Sequence, residues 1–244
     1  MRVLYQLTSP MDKTIGPQEM ERRRSVLQSY AASGTEVACE PTATGPAAIE
    51  GAYDAALVVP ELIRLAPLAQ ERGFDAIIIG CYSDPGIDAL REMLRIAVIG
   101  PGAASLHLAA QLGTRIALLT PAGRGFGRVS ARMRALGLGP LFACVRGLGL
   151  SVMDLARQAP GSLEKATAAA RAAVDEDGAD VIVLGCMSMA FLPGICEELG
   201  ERAGVPVVNP VLAALKTAEM TAGMKLAHSK LAYPLPKPQA IIGL

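Results

Sequence analysis

The chain of 244 residues has few histidines, few aromatic residues and no surplus charge of either sign. It contains two His, no Trp, five Tyr and four Phe, and its 23 Lys and Arg residues balance 23 Asp and Glu residues. A nucleic-acid surface needs a basic stripe or stacking aromatics, so this composition disfavours a nucleic-acid partner. The five cysteines include no C-x-x-C pair, and together with only two histidines they argue against a zinc site.

Long hydrophobic runs are also missing. No apolar run approaches the roughly 18 to 20 residues that span a bilayer, and the start "MRVLYQLTSPMDK" holds too short an apolar stretch for a secretion signal. The odd number of cysteines argues against a disulfide framework and suggests reduced thiols. We therefore expect a soluble cytoplasmic protein without a membrane partner.

What the sequence does contain is an alternation of short aliphatic runs with longer alanine-rich segments. This pattern predicts β-α-β units and parallel sheets. The predicted strands cover residues 3–7, 36–39, 76–79 and 96–99, and then 115–119, roughly 141–145, 181–184 and 205–208.

The second set of strands repeats the first. "RVLYQLTSP" aligns with "RIALLTPAG", "FDAIIIGC" with "ADVIVLGC", and "RIAVIGPGAASLHLAAQLG" with "VPVVNPVLAALKTAEMTAG", at offsets of 105 to 113 residues. Three matches in one order predict a duplicated unit. The expected fold class is α/β, with two similar lobes, each a roughly four-stranded parallel sheet flanked by helices, related by pseudo-twofold symmetry around a cleft.

Two of the five cysteines occupy equivalent places in this repeat. Cys81 and Cys186 each follow a glycine at the carboxyl end of the third strand of a lobe, which is the edge where ligands bind in such sheets. Cys39, Cys144 and Cys196 fit the ordinary reading of cysteine as a small buried hydrophobe. The pseudo-twofold axis would bring Cys81 and Cys186 onto opposite walls of one cleft.

A helix is expected to begin directly after each of these cysteines, with Ser83 or Asp84 as N-cap and Pro85 at the first helical position. A helix start should lower the pKa of the thiol below about 8.5. Two such thiols suit proton removal on one face of a carbon acid and proton delivery on the other, without a cofactor. Backbone N–H groups just after each cysteine would stabilise the enolate oxygen.

"IIIGCYSDPGIDALRE", "VIVLGCMSMA" and the tail "LAHSKLAYPLP" closely resemble the hydantoin racemases of the aspartate/glutamate racemase superfamily. The resemblance implies a cofactor-independent racemase of 5-substituted hydantoins or allantoin, with Cys81 and Cys186 as catalytic pair and Thr120 holding the substrate. It also implies that the last helix returns to the first lobe. The expected domains are residues 1–100 with about 211–244, and residues 101–210, and we expect a homo-oligomer.

The first loop and the second cysteine site depart from the family pattern. Many relatives carry an asparagine-proline-asparagine loop after the first strand, where this chain has Thr8, Ser9 and Pro10. Met187 and Ser188 stand where relatives often have alanine and glycine. Both departures lie where we expect the protein to contact and select its substrate. These five residues, together with two neighbours of the first cysteine, Tyr82 and Ser83, complete the expected substrate-binding set.

Several alternatives remain open. An amino-acid racemase, a maleate-type isomerase and an arylmalonate-type decarboxylase belong to the same superfamily, and Asp84 is a rival general acid. "VIGPGAAS" has the spacing of a dinucleotide-binding loop, although the next strand ends at Thr120 rather than at an acid that could bind a ribose. A small-molecule binding or sensing protein without catalysis would need no reactive thiols.

Overall fold

The computed structural model describes residues 1–123 and 125–237. Position 124, in the segment "GRGFGR", and residues 238–244, at the end of the predicted first lobe, lie outside the described residues. Within the described part, strands and helices alternate in the order that the aliphatic runs predict.

The first half contains four strands and four helices among the described residues. They are β1 (Arg2–Leu7), α1 (Met11–Thr14), α2 (Pro17–Tyr30), β2 (Glu36–Glu40), α3 (Ala52–Glu71), β3 (Ala76–Gly80), α4 (Ile87–Met93) and β4 (Ala97–Ile99).

The second half continues with four strands, seven α-helices and one 3₁₀ turn in the part of the chain described. They are α5 (Pro101–Ala109), β5 (Ile116–Thr120), α6 (Phe126–Ala135), the 3₁₀ turn Gly139–Leu141, β6 (Phe142–Gly147), α7 (Val152–Ala156), α8 (Ser162–Asp175), β7 (Val181–Leu184), α9 (Met187–Ala190), α10 (Ile195–Ala203), β8 (Val207–Val208) and α11 (Pro210–Gly223).

The strands form two parallel sheets with the same internal order. The first lobe is built on the sheet β2-β1-β3-β4 and the second on the sheet β6-β5-β7-β8. In each sheet the third strand of the unit lies between the first and the fourth. The predicted fold class, two similar four-stranded α/β lobes, is therefore confirmed.

Helices cover both faces of the inner strands, which explains why these strands read as continuous aliphatic runs. Ile77, Ile78 and Ile79 of β3 are completely buried, as are Val181 and Val183 of β7. Burying each such side chain stabilises the fold by roughly 1.5 to 3 kcal/mol. The long aliphatic runs that predicted these strands are thus a direct consequence of two-sided burial.

The two lobes exchange helices. The helix α5 follows β4 of the first lobe but packs on β7 and β8, whereas α11 follows β8 of the second lobe and packs on β3 and β4. The family resemblance implies such a return of the last helix to the first lobe. The exact domain bounds stay a prediction, because the last seven residues lie outside the described part.

The segment 224–237 runs along the outer edge of the first lobe. The Nε2 atom of His228 accepts a hydrogen bond from the N–H of Val98 in the edge strand β4, at 2.9 Å. The Nζ atom of Lys230 donates to the carbonyl oxygens of Arg91 and Leu94 at the end of α4, at 2.5 and 2.6 Å. The tail thereby covers groups that a sheet edge and a helix end leave open.

None of the helices in the described residues is both long and apolar enough to cross a membrane.

Candidate active site

Cys81 and Cys186 line the same cavity, which has a volume of about 540 Å³. Cys81 follows Gly80, the last residue of β3, and Cys186 follows Leu184, the last residue of β7, after one intervening glycine. Both therefore lie at the carboxyl edge of their sheets. The structure brings the two cysteines together, as the repeat predicts.

The two glycines that precede the cysteines are required by close packing against the first strand of each lobe. A Cβ atom on Gly80 would lie 2.9 Å from the carbonyl oxygen of Gln6, and one on Gly185 would lie 2.7 Å from that of Leu119. Real Cβ contacts are longer, so any larger residue would push the cysteine-bearing segment away from the sheet. The repeated G-C element therefore has the same steric cause in both lobes.

The turn after Cys81 differs from the predicted helix start. Helix α4 begins only at Ile87, and its N-cap is Gly86 with a φ of 69°. The Oγ atom of Ser83 instead lies 3.2 Å from the Sγ atom of Cys81. The prediction that Ser83 or Asp84 caps a helix beginning at Pro85 is therefore wrong.

Asp84 is buried, and its carboxylate caps a different helix. Its oxygens accept hydrogen bonds from the N–H groups of Gly102 and Ala103 in the first turn of α5, both at 3.0 Å. The guanidinium of Arg132 also donates to this carboxylate. These partners come from distant parts of the chain, which is why local N-cap rules pointed to the wrong helix.

Cys186 is the N-cap residue of α9 and is buried. The amides of Ser188 and Met189 lower the pKa of its thiol, and the amide of Ser83 lowers the pKa of Cys81, each against the larger effect of burial. We expected amides after each cysteine to meet an enolate oxygen, and this role stays a prediction.

The pKa values of both thiols are raised, so the prediction of lowered values is wrong. Burial is the largest cause for each: it raises the pKa of Cys81 above its ordinary value and that of Cys186 to about 11. The hydrogen bonds to sulfur and one nearby guanidinium each, from Arg132 and Arg23 respectively, oppose this shift without reversing it. A helix start of one turn does not compensate for removal from water.

Most of the predicted substrate-binding residues lie on the cavity. Its lining includes Thr8, Ser9, Tyr82, Ser83, Thr120, Met187 and Ser188. Pro10 is buried and is not part of that lining; it precedes α1, and its carbonyl oxygen accepts a hydrogen bond from the N–H of Lys13 at 3.0 Å. The Oγ1 atom of Thr120 accepts a hydrogen bond from the N–H of Gly123 at 3.1 Å.

Four charged residues line the cavity that the sequence did not single out: Arg23, Glu50, Arg128 and Arg132. Arg23 is only 1% exposed and lies on α2, in the run "ERRRS", where it looks like one more surface arginine. The 109-residue spacing between Arg23 and Arg132 is within the range of the repeat offsets. That spacing is the signal that could have identified them.

The remaining lining is largely apolar. It includes Leu7, Met11, Ile15, Ile49, Leu106, Leu118, Val129, Val152, Met153 and Ala156. Within residues 1–123 and 125–237, no three His, Cys, Asp or Glu side chains come together as they would around a metal ion. The dinucleotide alternative is not supported, since the α5 amides that would bind a phosphate bind Asp84.

Comparison with known proteins gives concordant matches over most of the chain. A sequence model of the Asp/Glu/hydantoin racemases matches residues 20–218. A hydantoin racemase from Rhizobium meliloti is 35% identical over 210 residues, which cover 84% of each chain. A second one, from Pseudomonas sp. (strain NS671), is 31% identical over 217 residues, or 88% of this chain and 86% of the relative.

A solved structure shows the same architecture. The allantoin racemase from Klebsiella pneumoniae superposes with a TM-score of 0.89 at 28% identity, and the match covers 100% of this chain and 96% of that one. The similarity thus extends over both lobes and over both cysteine segments.

Proposed function

The chain belongs to the Asp/Glu/hydantoin racemase family and is a racemase of a small molecule; on that premise we propose that it racemises 5-substituted hydantoins or allantoin through Cys81 and Cys186. The proposal covers both the substrate class and the two-thiol mechanism. No cofactor takes part in it.

The chemistry requires one thiolate and one thiol. The thiolate removes the proton from the stereogenic carbon, so that a C–H bond breaks and an S–H bond forms, and the electron pair moves into the neighbouring carbonyl as an enolate. The thiol of the other cysteine then donates its proton to the opposite face of the same carbon. The roles exchange for the other enantiomer, because the product state is the mirror of the starting state.

The observation that carries the proposal is the equivalence of the two sites. Cys81 and Cys186 come from matching positions of the two lobes and line one cavity, and backbone amides of the following residues lower the pKa of both thiols against burial. These amides stabilise the thiolate form that a base needs. A single reactive cysteine would explain a decarboxylase but not the duplicated arrangement.

Two of the three arginines that line the cavity, Arg23 and Arg132, favour a neutral ring over a dicarboxylic amino acid; Arg128 is the third. Arg23 is paired with Glu19, and Arg132 is paired with Asp84, so both guanidiniums already have carboxylate partners within the protein. The hydroxyl groups of Thr8, Ser9 and Thr120 line the cavity and can bind the ring's carbonyl and N–H groups. This supports hydantoin-like substrates rather than aspartate or glutamate.

The test is racemisation by the parent and by Cys81→Ser and Cys186→Ser, followed by polarimetry and by deuterium uptake in heavy water. We expect each serine variant to lose at least about 100-fold in racemisation rate, since a serine hydroxyl is a poor base. Each should still exchange the proton of one enantiomer without inversion. Cys196→Ser, which alters a cysteine away from the cavity, is the matched control and should racemise like the parent.

The substrate panel should include hydantoins with varied side chains, allantoin, aspartate, glutamate, maleate and an arylmalonate. Racemisation at the parent rate by either serine variant would exclude the two-thiol mechanism. Turnover of an amino acid alone would show that the substrate is an amino acid, as in the amino-acid racemase alternative, rather than a hydantoin. The absence of isotope exchange with every compound would favour the binding protein.

A further inference from the structure

Two of the arginines that line the cavity reach across to the opposite lobe. Arg23 lies on α2 of the first lobe, between β1 and β2, and Arg132 lies on α6 of the second lobe, between β5 and β6. The Arg23 side chain is 2% exposed and the Arg132 side chain 25%. Their contacts with the opposite lobe make them more than surface charges.

Arg23 holds the turn that begins at Cys186. One of its terminal nitrogens donates to the Oγ atom of Ser188 at 3.2 Å, while its Nε atom donates to Glu19 at 2.8 Å. The guanidinium carbon lies 4.8 Å from the ring centroid of Phe191, the residue that follows α9. The arginine of the first lobe thus contacts both ends of the short helix that carries the cysteine of the second.

Arg132 does the same for the turn that begins at Cys81. Its Nη1 atom donates to the carbonyl oxygen of Tyr82 at 2.8 Å, and its Nη2 atom donates to the carboxylate of Asp84. Its guanidinium carbon lies 5.5 Å from the ring centroid of Tyr82. The guanidinium thus holds the backbone of Tyr82 and the side chain of Asp84, on either side of Ser83, whose hydroxyl oxygen lies 3.2 Å from the Cys81 sulfur.

The two arginines are equivalent in the duplicated unit. They are 109 residues apart, whereas the cysteines are 105 residues apart, and each lies on the helix between the first and second strands of its lobe. The duplication therefore produces the contact twice: the arginine of the first lobe binds the turn of the second, and the arginine of the second lobe binds the turn of the first. Neither lobe by itself contains the complete surroundings of its own cysteine.

We propose that Arg23 and Arg132 are reciprocal positioning residues, each holding in place the turn that carries the cysteine of the other lobe. The inference rests on the proposed function for its catalytic meaning, but the thiols can be examined without any substrate. Each guanidinium also lowers the pKa of the cysteine across the interface against the larger effect of burial, Arg132 for Cys81 and Arg23 for Cys186. Position and charge therefore act in the same crossed pattern.

The test is the rate of alkylation of each cysteine by iodoacetamide across pH 7 to 10, resolved by peptide mass spectrometry, in Arg23→Gln and Arg132→Gln. We expect Arg23→Gln to slow Cys186 about tenfold at pH 8 and to leave Cys81 within twofold; a tenfold change corresponds to about one pKa unit. Arg132→Gln should slow Cys81 by a similar factor and leave Cys186 unchanged. A general loss of structure would affect both cysteines in each variant.

Two further variants keep the test decisive if a glutamine variant does not fold. Arg23→Lys and Arg132→Lys retain the positive charge but lose the planar guanidinium that donates several hydrogen bonds at once. Each should reduce the alkylation rate of the cysteine in the opposite lobe only, and by less than the glutamine variant does. Arg24→Gln and Arg134→Gln change exposed arginines on the same two helices and should leave both alkylation profiles unchanged. Circular dichroism at each pH confirms the folded state.

The proposal would be overturned if a glutamine variant slowed the alkylation of both cysteines equally. It would also be overturned if only the cysteine in the arginine's own lobe were alkylated more slowly, or if neither alkylation rate changed. If the crossed pattern is found but the parent racemises nothing, the proposed function fails and the positioning role stands. If the parent racemises but the crossed pattern is absent, the proposed function stands and the positioning role fails.

Discussion

At single side chains, the five cysteines share raised pKa values but differ in surroundings. Burial raises the pKa of Cys39 and Cys144 to about 12 and that of Cys186 and Cys196 to about 11, and it raises that of Cys81 as well. What distinguishes Cys81 and Cys186 is the cavity that they line. Their reactivity therefore depends on location more than on acidity.

The raised thiol pKa values determine the expected pH dependence of racemisation. A group with a raised pKa stays protonated through neutral pH, so the thiolate fraction grows about tenfold per pH unit below that pKa. We therefore expect kcat/KM to rise by close to this factor per unit between pH 7 and 9, measured by polarimetry after subtraction of the rate without protein. A flat or falling profile over this range would contradict two thiols with raised pKa values.

At the level of elements, the tail of residues 224–237 joins the edge strand β4 to the end of α4. The Nε2 atom of His228 accepts the N–H of Val98 at 2.9 Å and lies 3.1 Å from the carbonyl oxygen of the same residue, so only the acceptor contact needs an unprotonated Nε2. Burial first and the charge of Arg91 second lower the pKa of His228 below its ordinary value. The unfolded chain therefore binds this proton at a higher pH than the folded protein does.

This difference in pKa makes the tail contact sensitive to mild acid. Its contribution to stability is present above the unfolded pKa of about 6.5 and is lost as the pH falls from there through the lower, folded value. We expect the free energy of unfolding in urea to fall between pH 7.5 and 5. The fall should be smaller in His228→Gln, whose amide oxygen accepts the same hydrogen bond at every pH.

A control for this measurement is His107→Gln, which changes an exposed histidine on α5. It should keep the parent's pH dependence. Equal slopes for the parent and His228→Gln would show that the tail contact does not titrate in this range.

For the whole molecule, the lobes also meet at the lining of the cavity. The Oε1 atom of Glu50, in the loop before α3, accepts a hydrogen bond from the N–H of Val152 at the start of α7, at 2.7 Å. Both residues line the cavity. This contact holds the loop of one lobe against a helix start of the other, beside the cavity.

Loss of this contact should weaken substrate binding. We expect Glu50→Ala to raise KM about fivefold with little change in kcat, because one hydrogen bond of about 1 kcal/mol no longer orders the loop before the substrate arrives. Glu50→Gln keeps an acceptor oxygen and should stay near the parent value. The same KM in Glu50→Ala and in the parent would show that the loop contact does not contribute to binding.

The cytoplasmic location and the homo-oligomer remain predictions from the sequence. Sedimentation velocity of the full chain would establish the oligomeric state.

Strand positions, the duplication of a four-stranded unit and the placement of Cys81 and Cys186 on one cavity could all be predicted from the sequence. Each depends on local periodicity or on a repeat within the chain, and both are visible in one dimension. Gly80 and Gly185 could also be predicted from the sequence, since the need for a small residue before each cysteine repeats with the duplicated unit.

Other features were decided only by the tertiary structure. Asp84 caps α5 rather than α4, the thiol pKa values rise rather than fall, and Arg23 and Arg132 bind turns in the opposite lobe. These outcomes depend on burial and on partners that are distant in the chain, 165 residues apart for Arg23 and Ser188. Local sequence patterns carry no information about such partners, because desolvation and charge pairing arise only when the two lobes come together.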